Sequence, residues 1–490
     1  MNIKQPTRLL WIIVICTVSA LVYLIRLNGG TDLESYGQPT HIGSLLDLMT
    51  QGQVFVQHDL NGSMISLPPL HTWLMAPFAA ALGLKRLALT LPSFLSVLAL
   101  SLLVFASGRR RFGELAGGLG AMAVLLSPAT AKHIALVGAE PMFALTATVA
   151  ALAACSARSS AGDAYDERQR WLLFWLVSAL STLGMGLLGI LLAGGALLSA
   201  YLMTARDPDL TNVFRPHHVG LALFFGVVLA WLIPAGLSHD FSPTTRTLLL
   251  EANSWQTSAL LKPVGSLLIH YLPFSLFLIL ALWRVLRHPA ADVGQRGFER
   301  FLAGWLIVGL LAVSLTKDKG TDSLFALWPA CALLVGREMA YVAERMGKTR
   351  FAGMAVVIGC VLIGATYNAV HSTNTENYRA SALGKELRLA ANAGLAANAM
   401  KASGIDASRL HHFGTPQTLQ LYLGTFRPLI DQKRLDAILV SANGPIDLAT
   451  GSTGIEALGV QERYPATKQI FRWPDDPSQP PVVQVYRIAR

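Results

Sequence analysis

The sequence predicts an α-helical polytopic membrane protein with about eleven transmembrane helices, followed by a small soluble C-terminal α/β domain. Composition is the first reason. Of 490 residues, 53% are hydrophobic and only 14% are charged, whereas ordinary soluble domains carry about 25% charged residues. Long apolar runs are the second reason, and the placement of basic residues between those runs is the third. A soluble core cannot hide this much apolar surface, so lipid must cover much of it.

Most predicted spans are apolar runs that approach the roughly 20 residues needed to cross the hydrocarbon layer, and several are shorter. The first run could imitate a signal peptide, but it lacks a clear small-residue cleavage site and is therefore predicted to be an uncleaved span. The break at Gly184-Met185-Gly186 is predicted to be either a tight turn or a kink. The predicted spans are Leu9–Leu27, Leu87–Ala106, Leu115–Ala131, Pro141–Ala157, Trp171–Leu183, Gly186–Met203, Val219–Leu237, Val264–Trp283, Phe301–Thr316, Ser323–Val335 and Phe351–Val370.

Charge placement predicts the orientation. The net charge is +10, and the basic residues fall mainly in alternate connections, such as Arg109-Arg110-Arg111. This positive-inside pattern indicates a bacterial inner membrane protein with a cytoplasmic N-terminus and a periplasmic C-terminus. The same clustering argues against nucleic acid as a partner. All four cysteines lie in apolar runs, which predicts neither a disulfide framework nor a cysteine metal site: Cys16, Cys155, Cys331 and Cys360.

Two domains are expected. Residues 1–370 form the membrane domain, which includes a long first periplasmic loop at 28–85, and residues 371–490 form the soluble domain. The loop contains two helix-like stretches, Ile42–Gln51 and Pro69–Leu84. In the soluble domain the pattern predicts a helix and four short strands. These elements are Ser381–Ser403 for the helix and His411–Gly414, Ala437–Ser441, Lys468–Trp473 and Val482–Ile488 for the strands.

Acidic residues in the first loop are the first candidates for chemistry. Asp32, Glu34, Asp47 and Asp59 occur there, and the loop interior has no lysine or arginine. A carboxylate just outside the first span could deprotonate an acceptor hydroxyl, or hold a metal ion or a cationic sugar. The alternative is a solvated loop that happens to be acidic.

Glu140 is a sharper candidate because it stands at the start of an apolar helix, directly before Pro141. An acid there is costly unless it is used or paired, although the helix dipole alone can favour it. Lys317 and Lys319 lie in a later external loop, where they either bind a lipid phosphate or form a solvated turn. The external or interfacial histidines have spacings that do not suggest zinc, so polar or packing roles are predicted: His58, His71 and His133.

Several of these segments, in this order, resemble the C-type (GT-C) membrane glycosyltransferases, in particular protein O-mannosyltransferase-like and lipid A aminoarabinose transferase-like enzymes. The resemblance covers roughly Leu9 to Gly336. Its motifs are Asp32 to Tyr36, Val56-Gln57-His58, Leu60-Asn61-Gly62, Pro68-Pro69-Leu70-His71-Thr72-Trp73, Ser127-Pro128 with Lys132 and Glu140, and Lys317-Asp318-Lys319 with Leu327-Trp328-Pro329-Ala330.

The resemblance implies transfer of a sugar from a polyprenyl-phosphate donor to a lipid, glycan or protein acceptor at the periplasmic face. It implies that Asp32, or alternatively Glu34, acts as base or orients the acceptor, and that Glu140 is the second acid. Lys132, Lys317 and Lys319 then bind the lipid phosphate, because cations stabilise the charge of this leaving group. Two more residues complete the implied substrate-binding set, namely Tyr36 and His58. No fixed cofactor is implied, and a divalent metal remains open.

Three positions depart from the family pattern. Leu33 stands where a second acid is usual, and Leu67 and Met185 stand where lysines are usual. The donor is therefore different, or the remaining lysines suffice, or the chain is a catalytically silent scaffold. A transporter or flippase of a lipid-linked substrate is a further alternative, but it would need charges within the spans, and these hold almost none.

Overall fold

A computed structural model describes most of the chain. The described residues are 8–27, 33, 37–65, 68–159, 164–203, 217–237, 257–315, 322–372, 393–441, 444–451, 460–476, 478 and 481–489. The chain divides into two compact units. The first comprises Met1–Asn28, Ser66–His71 and Thr90–Asn368, and the second comprises Gly29–Ile65, Thr72–Leu89 and Ala369–Arg490.

Helices build the first unit, and the protein is a polytopic α-helical membrane protein, as predicted. Among the described residues, seven helices are long and apolar enough to cross a membrane, and three shorter apolar helices accompany them. The helices are Arg8–Leu27, Arg86–Phe112, Glu114–Leu125, Pro128–His133, Glu140–Ser159, Ala164–Met185, Leu187–Met203, His218–Leu237, Thr257–His270, Phe274–Arg287, Val293–Leu315, Trp328–Met346 and Lys348–Ser372, with a 3₁₀ turn at Ser323–Leu327.

Glycines let the central helices approach closely. Gly336 of helix Trp328–Met346 lies against the backbone of Ala116 and Gly120, where a Cβ would stand 2.6 Å from the Gly120 nitrogen. Small residues at such contacts are the usual way in which helices pack tightly in a membrane. The core around this contact contains large buried side chains, among them Trp171, Trp305 and Trp328.

Two predicted spans are wrong as continuous helices. The run predicted as Leu115–Ala131 ends as a helix at Leu125, because Ser127 and Pro128 start a new short helix, Pro128–His133. The run predicted as Val264–Trp283 divides into Thr257–His270 and Phe274–Arg287, with Pro273 at the break. At the break left open by the sequence, Gly186 has φ +58° and the chain turns tightly, and Gly189 packs on the backbone of Ser181.

The second unit combines the first loop with the C-terminal domain. Both helix-like stretches of the loop are helical, at Gln38–Gln51 and Leu70–Leu82. The carbonyl of Leu60 in the loop accepts hydrogen bonds from the Leu429 amide at 3.1 Å and from Gln420 Nε2 at 3.3 Å. These bonds fix the loop to the C-terminal domain.

The C-terminal domain contains a four-stranded sheet of order β1-β2-β4-β3. β1 and β2 are parallel, whereas β4 pairs antiparallel with both β2 and β3. The strands are β1 Leu410–Phe413, β2 Ile446–Thr450, β3 Lys468–Trp473 and β4 Val483–Ile488. Three of the predicted strands match β1, β3 and β4.

Helices of this domain are 393–402, Leu419–Leu423, Gln432–Ser441 and Val460–Arg463. The strand predicted at Ala437–Ser441 is wrong, since these residues end the helix Gln432–Ser441, which buries Leu435 and Leu439 on one face. β2 follows this helix and was not predicted. Of the predicted helix Ser381–Ser403, residues 381–392 lie outside the described residues.

Candidate active site

A short helix in the first unit, Pro128–His133, carries two of the site residues. Ser127 caps its start by accepting a hydrogen bond from the Thr130 amide at 3.3 Å, and Pro128 occupies the first turn, where no amide donor is needed. The cap places Lys132 and His133 in the last turn. The Ile134 amide closes the last turn by donating to the Thr130 carbonyl at 2.9 Å, and the helix ends at His133.

The next segment is held against a neighbouring helix and leads to Glu140. Ser93 Oγ donates to the carbonyls of Leu136 at 2.7 Å and Gly138 at 3.4 Å. Glu140 is the first residue of helix Glu140–Ser159, where the positive end of the helix dipole favours a carboxylate. Its Oε2 lies over Gly138, in the space that a Cβ would fill. The lack of a side chain at Gly138 therefore lets the carboxylate turn back along the chain.

Asp322 joins these residues into one cluster. Its Oδ1 lies 2.7 Å from Lys132 Nζ and 2.9 Å from His133 Nε2. The other ring nitrogen of His133, Nδ1, lies 3.9 Å from Glu140 Oε2. His133 is thus placed between two carboxylates, and its side chain is only 3% exposed. Its ring packs at 5.1 Å from the ring of Phe325, in the 3₁₀ turn that follows Asp322.

The charges of the cluster oppose the effect of burial on the pKa of Asp322. Burial by itself raises the pKa of this carboxyl, but the hydrogen bonds and positive charges of His133 and Lys132 outweigh burial and hold the pKa well below its usual range. Asp322 is therefore ionised at neutral pH. The side chains of Lys132, Asp322 and Glu140 are 28%, 38% and 20% exposed, so a ligand can reach this cluster.

Two of the residues selected from sequence, Lys132 and Glu140, come together in this cluster. His58 lies in the second unit, where its backbone amide and Nδ1 both bond to Oδ2 of the buried Asp47 at 2.9 Å. The other selected residues, and Leu67 with them, lie outside the described residues: Asp32, Glu34, Tyr36, Lys317 and Lys319. Met185 is the last residue of helix Ala164–Met185.

Within the described ranges, no group of three or more histidine, cysteine, aspartate or glutamate side chains is arranged to hold a metal ion. The cluster itself contains a lysine and a histidine next to its carboxylates, and both bond to Asp322 Oδ1. A lysine can bind an anion, and a carboxylate can act as an acid or a base.

The sequence predicted an ordinary polar or packing role for His133, and Asp322 was not selected. Both were visible as polar residues at the ends of apolar runs, and His133 directly follows Lys132. The contact between Asp322 and the 132–133 pair spans 190 positions of chain. A single sequence offers no pattern for such a long-range pairing.

Comparison with known proteins identifies a sequence family and solved structures that this chain resembles. Residues 66–233 match the sequence model of the dolichyl-phosphate-mannose-protein mannosyltransferase family. ArnT from Cupriavidus metallidurans bound to undecaprenyl phosphate superposes with a TM-score of 0.73 at 15% identity, over 98% of this chain and 98% of that chain. Its apo form gives 0.70 at 16% identity, over 97% of each chain.

A more distant likeness is to the oligosaccharyltransferase AglB from Archaeoglobus fulgidus in complex with an inhibitory peptide and a dolichol-phosphate. It has a TM-score of 0.50 at 10% identity, over 90% of this chain and 70% of that one. No curated protein sequence matches the chain.

The chain therefore has the GT-C fold of membrane glycosyltransferases, and the resemblance predicted from the sequence motifs is confirmed. Within that class, the likeness to ArnT extends over nearly the full length of both chains, so it includes the small C-terminal domain as well as the membrane helices.

Proposed function

We propose that this protein transfers a sugar from a polyprenyl-phosphate donor to a hydroxyl of a lipid, glycan or protein acceptor at the periplasmic face of the bacterial inner membrane. The observation that carries the proposal is the cluster of Lys132, His133, Glu140 and Asp322, which joins an accessible cation to an accessible carboxylate. This cluster occurs in a chain whose fold is that of ArnT and AglB, which were solved with undecaprenyl phosphate and dolichol-phosphate.

The proposed reaction needs one base and one cation. Glu140 accepts the proton of the acceptor hydroxyl while the acceptor oxygen bonds to the anomeric carbon. The bond from that carbon to the phosphate oxygen breaks, and the phosphate keeps the electron pair. Lys132 stabilises the negative charge that develops on the leaving phosphate. Attack from the face opposite the phosphate inverts the anomeric centre, as the family resemblance implies.

In this scheme Glu140 takes the role of base, which the family resemblance implied for Asp32 or Glu34 as one of two roles. Asp32 or Glu34 keeps the other role and orients the acceptor, and Lys317 and Lys319 add positive charge for the lipid phosphate. Tyr36 and His58 complete the proposed substrate-binding set.

The test is transfer in vitro by the purified full-length chain in lipid nanodiscs. Polyprenyl-phosphate mannose and polyprenyl-phosphate aminoarabinose, each radiolabelled, are offered together with a membrane extract as acceptor. We expect label on an acceptor and release of polyprenyl phosphate with one of them. Glu140→Gln should lower kcat by at least about 100-fold, since a general base contributes 10²–10⁴. Lys132→Met should lower kcat, because the charge that develops on the leaving phosphate loses its cation, and should also raise the KM for the donor.

Glu114→Gln is the matched control. Glu114, like Glu140, is a glutamate in the first turn of an apolar helix, but it lies near Arg109 at 4.0 Å and outside the cluster. It should retain full activity. Full activity in Glu140→Gln would remove the proposed base, and no transfer or release with either donor would count against the proposed reaction.

A further inference from the structure

His133 is a buried histidine placed between two carboxylates, and the proposed reaction needs only one of them as base. Asp322 lies on its Nε2 side at 2.9 Å and Glu140 on its Nδ1 side at 3.9 Å. We propose that His133 and Asp322 are positioning residues that control the proton on Glu140, with His133 as the group that receives it. This inference rests on the proposed function, because it names the group that receives the proton from the base of that reaction.

The hydrogen-bond network determines the tautomer of His133. An ionised carboxylate can only accept hydrogen bonds, and Asp322 accepts from Lys132 at 2.7 Å through the same oxygen that faces His133. His133 Nε2 therefore carries the hydrogen. In the neutral ring the other nitrogen, Nδ1, then holds the lone pair.

The lone pair of Nδ1 has one partner within reach. Among the described side chains, Nδ1 has no hydrogen bond and is shielded from solvent, and Glu140 Oε2 at 3.9 Å is the ion-pair partner on that side. Movement of the carboxylate by about 1 Å closes this gap to hydrogen-bond length, and catalytic hydrogen bonds often tighten in this way when substrate binds.

Every proton that moves in the relay has a donor and an acceptor. Glu140 takes the proton of the acceptor hydroxyl as the new C–O bond forms, and the neutral carboxylic acid then passes this proton to Nδ1. The imidazolium that results is stabilised by the negative charge of Asp322. Loss of the proton to water at the end of the cycle restores neutral His133 and ionised Glu140.

The charged groups that face His133 come from three segments of the described chain. Lys132 is its neighbour on the same short helix, Asp322 precedes the 3₁₀ turn, and Glu140 begins the next long helix. The ring therefore lies between two acids, and Lys132 bonds to the acid on its Nε2 side.

Kinetics provide the first test. His133→Gln should lower kcat about 10- to 100-fold with the KM for the donor unchanged, because the donor phosphate is bound by Lys132 and not by the relay. The pH–kcat profile of this variant should differ in shape from that of the wild type, because one proton-accepting group of the relay has been removed. Asp322→Asn should also lower kcat, because an amide permits the wrong tautomer, and Asp322→Glu should restore part of the loss. Glu114→Gln again serves as the control.

The second test does not depend on transfer. In the full chain labelled with ¹⁵N-histidine, the His133 signals are identified by their loss in His133→Gln. We expect the hydrogen on Nε2 and a lone pair on Nδ1 in the neutral ring, with that preference lost in Asp322→Asn. A neutral ring with its hydrogen on Nδ1, or wild-type kcat and pH profile in His133→Gln, would overturn the relay. If Glu140→Gln is inactive while His133→Gln behaves as wild type, the relay is refuted and the proposed function stands. If no donor supports transfer, the proposed function fails, and the tautomer measurement alone tests the relay.

Discussion

A single methyl group at Gly138 should disable the candidate base without unfolding the protein. The added Cβ would overlap Glu140 Oε2 and stand 3.3 Å from the Glu140 Cδ. To reach ordinary van der Waals contact the oxygen must retreat by about 1 Å, and misplacement of a reacting group by that distance can cost about 10²-fold in rate. For Gly138→Ala we therefore expect kcat/KM to fall about 100-fold, equivalent to about 2.7 kcal/mol of transition-state stabilisation.

Stability should change little, because the group that must move is the far end of a flexible side chain. The assay is sugar transfer from the labelled donor together with thermal unfolding in detergent. Gly353→Ala is the matched control, since a Cβ at this helical glycine meets nothing within 4 Å. Wild-type transfer by a well-folded Gly138→Ala variant would show that the position of the Glu140 carboxylate over Gly138 is irrelevant to catalysis.

Two further predictions concern the framework. Arg337→Met should destabilise the membrane unit by about 3–5 kcal/mol, because it leaves Glu299, bonded to Arg337 at 3.0 Å, buried without that partner. The control in SDS unfolding is Asp166→Asn, which removes an exposed ion pair with Arg170 and should cost about 0–1 kcal/mol. Equal effects of the two variants would refute the predicted difference between a buried and an exposed pair. Burial lowers the pKa of His217 to about 4. The folded state thus binds fewer protons, so its stability is full above pH 6.5 and falls as the pH drops from 6.5 towards 4. His217→Gln should lose that part of the pH dependence of the melting temperature, and an unchanged pH dependence would contradict it.

The membrane helices were predictable because one physical constraint dominates them. A segment that crosses lipid must be apolar over a set length and must satisfy its backbone internally, so Arg8–Leu27 and Arg86–Phe112 could be located within a few residues. Breaks within apolar runs were harder to locate. Ser127-Pro128 is a start signal that hydropathy averages hide, and Pro273 divides a run that is apolar on both sides.

In the C-terminal domain, the local sequence was a less reliable guide to secondary structure than in the membrane helices. Ala437–Ser441 is a short apolar run, and such runs fit a strand or a helix segment equally well. The outcome was decided by tertiary packing, because Leu435 and Leu439 lie four positions apart and bury the same helix face. β2 was not predicted although all five of its residues are buried. It follows the helix after only a short connection, where turn residues dominate the local pattern.

The candidate site was half predictable, and the reason is charge pairing over long distances. Glu140 and Lys132 stood out because charges at the ends of apolar helices are costly unless they are used or paired. The same argument applies to Asp322, which directly precedes the predicted span Ser323–Val335 but was not selected from the sequence. In the structure Asp322 bonds to Lys132 and His133, which are remote in the chain. A carboxylate that holds a lysine and a histidine in place has a positioning role, and this role depends on the fold and not on the local sequence.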